Sequence, residues 1–155
     1  MATFDSDQYT LQTTKATTRS VSMSERTLTQ SVRYAQFTYT LAGTEANGDI
    51  IQLGYIGVPK CYVLPHLSSL RDTGGAGDVD FDAKLNALVD GTSTDLSGVA
   101  ALDNNRAAFA DIAASPLLEI DQDDLLRLIV SDASIGAVTA GETIAVEVAY
   151  ISETL

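Results

Sequence analysis

The sequence predicts an all-β fold: an antiparallel β-sandwich, jelly-roll-like, over residues 32–155, preceded by an extended N-terminal arm at residues 1–31. Three observations predict it. Short runs of β-branched and aromatic residues recur at roughly ten-residue spacing. Gly, Pro and Asn-Gly signals separate them, and no amphipathic helix stands between each pair, as an α/β sheet would need.

Each element has its own justification. Ser and Thr dominate residues 1–31 (Thr13, Thr14, Thr17, Thr18, Ser20 and Ser22 among them), and the apolar residues are too scattered to define a buried face. Such a segment does not offset its own ordering entropy. It reads as an arm that lies along its own domain or reaches a neighbouring subunit by main-chain pairing, with a plain disordered tail as the competing reading. From Val32 to Leu41 two interleaved sets of β-formers predict a strand that ends at Ala42-Gly43. The turn Asn47-Gly48-Asp49 leads into a second strand at Ile50–Ile56, and Cys61–Leu64 forms a third. Gly54, Gly57, Pro59 and Pro65 exclude a helix there.

Asp72–Gly77 is a Gly-rich loop, and Asp78–Asp82 alternates strictly, with Val79 and Phe81 on one face and Asp78, Asp80 and Asp82 on the other. Between residues 83 and 114 the signals mix. Leu85, Leu88 and Val89 have helical spacing, Gly91–Asp95 reads as a turn, and Val99–Phe109 is Ala-rich, so one or two short helices or an irregular excursion are expected. Leu117–Ile120, Leu125–Val130 and Thr143–Ile151 complete the strands, the last after the turn Ala140-Gly141.

Composition narrows the function classes. The 155 residues fit one domain with a real core. Nine Lys plus Arg against 21 Asp plus Glu give a net charge of −12, which argues against gripping a phosphate backbone. Residues 1–60 are formally neutral, with Lys15, Arg19, Arg26, Arg33 and Lys60 matching Asp5, Asp7, Glu25, Glu45 and Asp49, so the whole excess of acid follows Lys60. That asymmetry suggests one surface for a partner and one for solvent; late clustering of acidic loops is the plainer alternative. The longest charge-free stretch, Tyr34–Thr44, is too short and too polar to span a membrane. The N-terminal MATFDSDQYT has no apolar run of signal-peptide type, so synthesis in a cytoplasm is expected.

Catalytic chemistry has few candidates. Any triad would have to use His66, with Ser68 and Ser69 nearby, yet no G-x-S-x-G elbow exists. Cys61 lies in an apolar run, where a free cysteine behaves as a small hydrophobe, and as the lone cysteine it makes neither an internal disulfide nor a Cys-rich metal site. Asp78, Asp80 and Asp82 imitate the start of a calcium loop, but Ala83 and Val89 stand where its Gly and Glu belong. Gly74–Gly77 lacks the spacing of a phosphate loop. No catalytic, cofactor or metal residue is assigned, and a non-enzymatic role is expected.

The runs Ser31–Thr40, Asn47–Ile56, Lys60–Leu64 and Ala140–Tyr150 resemble small structural proteins of tailed bacteriophages, which pair a "VRY…TYT" strand with "GDxIxL" and "AGxIxVxxxY" strands. The resemblance covers about half of the chain and leaves out residues 82–114. It implies a head-decoration, or capsid cement, protein on the outside of the shell, with the major capsid protein lattice as partner, often as a homotrimer. It implies no enzymatic activity, and the acidic composition and the lack of a long apolar run already argue against nucleic acid and membrane as partners. A head-fibre, tail-associated or receptor-binding module is the alternative.

Overall fold

A computed structural model describes residues 2–6, 32–74, 79–103, 105–110, 112, 119–131 and 140–152. The described residues form two packed sheets. One contains β1 (Thr3–Asp5), β3 (Ile50–Gly54), β10 (Leu125–Val130), β6 (Asp80–Val89) and β7 (Thr92–Asp103), in that spatial order. The other contains β2 (Arg33–Thr40), β11 (Thr143–Ser152), β4 (Lys60–Val63), β5 (Ser69–Gly74), β8 (Arg106–Ala108) and β9 (Glu119–Asp121).

In the second sheet β4 and β5 follow one another along the same flank of β11, and β9 and β8 extend that pair outward. Its rows therefore read β2, β11, β4/β5, β9/β8, while the first sheet reads β3, β10, β6, β7 with β1 added parallel at the edge. Every connection between successive rows crosses from one sheet to the other, except the β6–β7 hairpin. Eight rows in this order are a jelly roll.

The alternation expected of residues 32–41 is present. Phe37, Tyr39 and Leu41 enter the core, where they meet Ile144, Val146, Val148 and Tyr150 of β11. Val79 and Phe81 are also fully buried, as their alternation with aspartates predicts. The region from 83 onward differs from expectation. In place of short helices, residues 80–103 make one long hairpin, and the described helical structure is a single 3-10 turn at Pro65–Leu67. Its reversal is Asp90-Gly91, both at positive φ, and Thr92–Asp95 belong to the strand that follows. Leu85 is buried with Phe81, Ala83 and Ala87 on the inner face, so its helical spacing to Leu88 and Val89 was coincidental.

Two interruptions in the ladders are closed by serine hydroxyls. Opposite Leu85, β7 carries three residues, Leu96–Gly98, and Ser97 Oγ accepts the Leu85 N–H at 2.9 Å. Between β4 and β5 five residues, Leu64–Ser68, stand opposite Val148 and Ala149; Ser68 Oγ accepts the Ala149 N–H at 2.9 Å and donates to Leu64 O at 2.9 Å. Each hydroxyl satisfies a main-chain group that the bulge strands. Gly98 has a further role: a Cβ there would lie 2.9 Å from Ala110 Cβ, where the edge of β7 meets the chain leaving β8.

The arm expected at residues 1–31 lies outside the described residues from 7 to 31. Residues 3–5 pair with Ile50–Gln52.

Candidate docking face

The residues that sequence reasoning tested for catalysis are scattered. Cys61 points into the core, and burial first, with the charges of Asp121 and Asp124 behind it, pushes its thiol up to about 12. That is the reverse of an activated nucleophile. His66 is exposed on the 3-10 turn, Ser68 is engaged in the ladder repair above, and Ser69 Oγ accepts from Arg106 Nε at 2.9 Å. Asp80 and Asp82 lie on the outer side of β6, and Asp78 and residues 75–77 fall outside the described residues. Among the described residues no group of three His, Cys, Asp or Glu side chains is placed to hold a metal ion. No described helix is long and apolar enough to cross a membrane.

The feature that does gather residues is the outer face of the β2–β11 sheet. Because odd-numbered residues of β2 and even-numbered residues of β11 fill the core, Val32, Tyr34, Gln36, Thr38 and Thr40 face outward beside Thr143, Ala145, Glu147, Ala149 and Ile151. The next row presents Lys60, Tyr62, Ser69 and Arg71, and the last presents Glu119, Asp121 and Arg106. Tyr34 is 55% exposed and Val32 39% exposed, on neighbouring outward positions. Opposite them Ala149 is fully buried and Ile151 half-buried, and Tyr62 pairs with Ile151.

Charges on this face are balanced and mutually engaged. Lys60 Nζ donates to Glu119 Oε1 at 2.9 Å, and Tyr62 Oη donates to Glu119 Oε2 at 3.0 Å. The Lys60 bond first, then the Tyr62 bond, hold the Glu119 carboxyl below its usual range. Glu147 lies between two arginines, 3.1 Å from Arg106 Nη2 and 3.6 Å from Arg71 Nη2. Among the described residues of this face, three cations (Lys60, Arg71, Arg106) thus stand among three carboxylates (Glu119, Asp121, Glu147), in a chain of net charge −12.

The opposite outer face is acidic. Asp80, Asp82, Asp95 and Asp103 project from β6 and β7, against Lys84 and Arg127, and Asp80 is paired directly across from Asp103. At its centre Arg127 Nε and Nη2 donate to Asn86 Oδ1 at 3.1 and 2.6 Å, Nη2 also reaches Ser93 Oγ at 2.7 Å, and Asn86 Nδ2 donates to Asp95 Oδ1 at 2.8 Å. Burial lowers the Arg127 pKa, opposed by the charge of Asp95. This network is internal bracing: Asn86 is fully buried and Arg127 9% exposed.

The balanced face takes residues from both halves of the chain, so the neutral first 60 residues do not by themselves make one surface. Alternation in residues 32–41 defines two sets of side chains but does not by itself say which set faces outward. An inward Phe37 with an outward Tyr34 was the available signal.

No protein-family model matches the chain, and no curated protein is similar to it. A chain in the solved structure of the capsid of Ralstonia phage GP4 aligns with 81% of this protein and 86% of its own length, at 21% identity and a TM-score of 0.43.

Proposed function

We propose that this protein is a structural component of a tailed-phage virion, bound to the outer surface of the capsid shell, where it bridges capsid subunits and stabilises the lattice. The observation that carries this reading is the charge-balanced outer face bearing Tyr34, Val32, Tyr62, Arg71 and Arg106 in an otherwise strongly acidic chain. Tyrosine and arginine are the residue types that association surfaces favour. A face without net charge also approaches an acidic shell at less electrostatic cost than the aspartate-rich face, which is suited to solvent. The jelly roll serves capsid and lectin domains alike and does not choose between them; the strand motifs shared with phage structural proteins favour the virion.

The mechanism is mechanical and non-enzymatic. A flat sheet face spanning two capsid subunits resists their separation, and contacts repeated over a lattice add through effective concentration. Three copies around a three-fold position would multiply that avidity.

Shells lacking the protein, incubated with the purified chain and sedimented, test the reading. The wild type should load stoichiometrically, with density outside the shell in electron micrographs. Tyr34→Asp should reduce loading at least tenfold without unfolding the domain. Equal loading of Tyr34→Asp, or density on the inner surface, would overturn the proposal. Particles that retain the variant but no longer adsorb to host cells would point to the receptor-binding alternative.

A further inference from the structure

We propose that Arg71 and Arg106 form a receptor for a carboxylate, supplied by an acidic side chain on the surface of the protein that the β2–β11 face meets. The inference rests on the reading of that face as the docking face and names the chemistry of its contact. The two arginines are direct register partners across β5 and β8. Like charges set opposite each other on one face of a sheet destabilise it. Ala145 and Thr38 continue their row without adding a charge, and among the described residues Glu147 is the acid of the row beside it.

Arg106 is braced across the sheet. Its Nε donates to Ser69 Oγ at 2.9 Å and its Nη2 to Glu147 Oε2 at 3.1 Å, and Ser69 Oγ donates to the same carboxylate oxygen at 3.3 Å. Arg71 is not. Its Nη2 stands 3.6 Å from Glu147 Oε1, beyond hydrogen-bonding reach, and its Nε is buried without an acceptor. The neighbouring Asp72 carboxylate is engaged instead by the Gly74 N–H at 3.0 Å. Two guanidiniums therefore answer to one carboxylate, a local surplus of one positive charge in a chain with 9 Lys plus Arg against 21 Asp plus Glu. The Arg71 and Arg106 side chains are 43% and 54% exposed and Glu147 only 21%, so the surplus is presented outward. One incoming carboxylate cancels it, accepting two parallel N–H bonds from Arg71 Nη1 and Nη2. A polyanion such as a nucleic acid would also meet Glu119 and Asp121 on this face and the chain's net charge of −12. A single carboxylate on a folded protein matches a surplus of one.

The test has one arm without a shell and one with it. In the first, the arginine Nε–H signals of the full-length protein are followed by nuclear magnetic resonance at low salt while a capped tetraglutamate peptide is added. The Arg71 and Arg106 signals should move together and saturate, those of Arg33 and Arg127 should stay in place, and tetraglutamine should move none. Arg71→Gln should weaken the Arg106 response about five- to tenfold, and Arg71→Lys should recover only part of it, because an ammonium lacks the paired planar donors. The urea midpoint of Arg71→Gln should not fall, since the change relieves the opposition to Arg106; a residue with a merely structural role would lower it. In the second arm, Arg71→Gln should load onto shells about five- to tenfold less than wild type. A peptide that moves no arginine signal, or loading of Arg71→Gln equal to wild type, would overturn the carboxylate receptor and leave the docking reading standing. Shells left bare by the wild type, with the peptide still saturating Arg71 and Arg106, would overturn the docking reading alone. Self-association of the protein by itself, lost in both Arg71→Gln and Asp80→Asn, would make the acidic face of a second copy the occupant and overturn the assignment to another protein.

Discussion

The two outer faces of the sandwich are built from the same kind of strand and treat charge in opposite ways. On the β6–β10 face a guanidinium is sunk among Asn86 and Ser93, with Asp95 bonded to Asn86 beside it, so polar groups there serve the fold. On the β2–β11 face the ion pairs sit at the surface, and the outward Tyr34 is left 55% exposed. The difference teaches which face costs the protein stability when altered and which is free to serve a partner. Buried polar groups must be satisfied internally, whereas exposed pairs contribute little to folding.

Mutations can break that contrast. The largest effect is expected from Asn86→Ala, which strips the Arg127 guanidinium of its main acceptor and should cost about 2–3 kcal/mol in urea denaturation. Gly98→Ala, at the close approach to Ala110, should cost about 1–3 kcal/mol by the same measurement, because backbone must move to admit the methyl group. Tyr34→Asp on the opposite face should leave stability within about 0.5 kcal/mol of wild type, with the loss confined to shell loading. The smallest effect is expected of Asp80→Asn, which relieves the repulsion across from Asp103 and should stabilise by about 0.2–0.5 kcal/mol, more at low salt than at high.

Acid should separate the two sheets as well. The N–H groups of Ala2 and then Ala46 hold the Asp49 carboxyl below its ordinary range. A carboxyl depressed in the folded state contributes stability that is complete above its unfolded pKa, about 3.9, and is lost as pH falls through the folded value. Below about pH 4, hydrogen exchange at the Ile50 amide, which bonds to Ala2 O, should accelerate before exchange in the β2–β11 ladder does. Asp49→Asn should abolish that pH dependence. If the two ladders open together, β1 is not separately latched.

What was legible in the sequence is what depends on local alternation. Phe37 and Tyr39 against Tyr34 and Gln36, or Phe81 against Asp80 and Asp82, announce both a strand and its two faces. What was not legible depends on register. Leu85, Leu88 and Val89 imitate a helix because a half-buried strand end is apolar on both sides. The reversal is Asp90-Gly91, and the polar run after it, which looks like a turn in sequence, pairs as strand. The Arg127–Asn86–Ser93 brace joins residues up to 41 apart in sequence and exists only once β10, β6 and β7 are aligned. The charge-balanced face is of the same kind, since Lys60, Arg71 and Arg106 become neighbours of Glu119 and Glu147 through pairing alone.

The serine-plugged interruption between β4 and β5 has a consequence for engineering. Leu64–Ser68 leave and rejoin the flank of β11 with both ends already anchored, Leu64 N–H on Ala149 O and Ser68 Oγ under the Ala149 N–H. The exposed pair His66-Leu67 at its tip bears no core side chain. A peptide grafted there would lengthen a loop whose closure entropy grows only logarithmically, and it would leave the ladder on either side zipped. The 3-10 turn is thus a ready display port, through which one copy of the domain can carry a foreign epitope without rewriting its core.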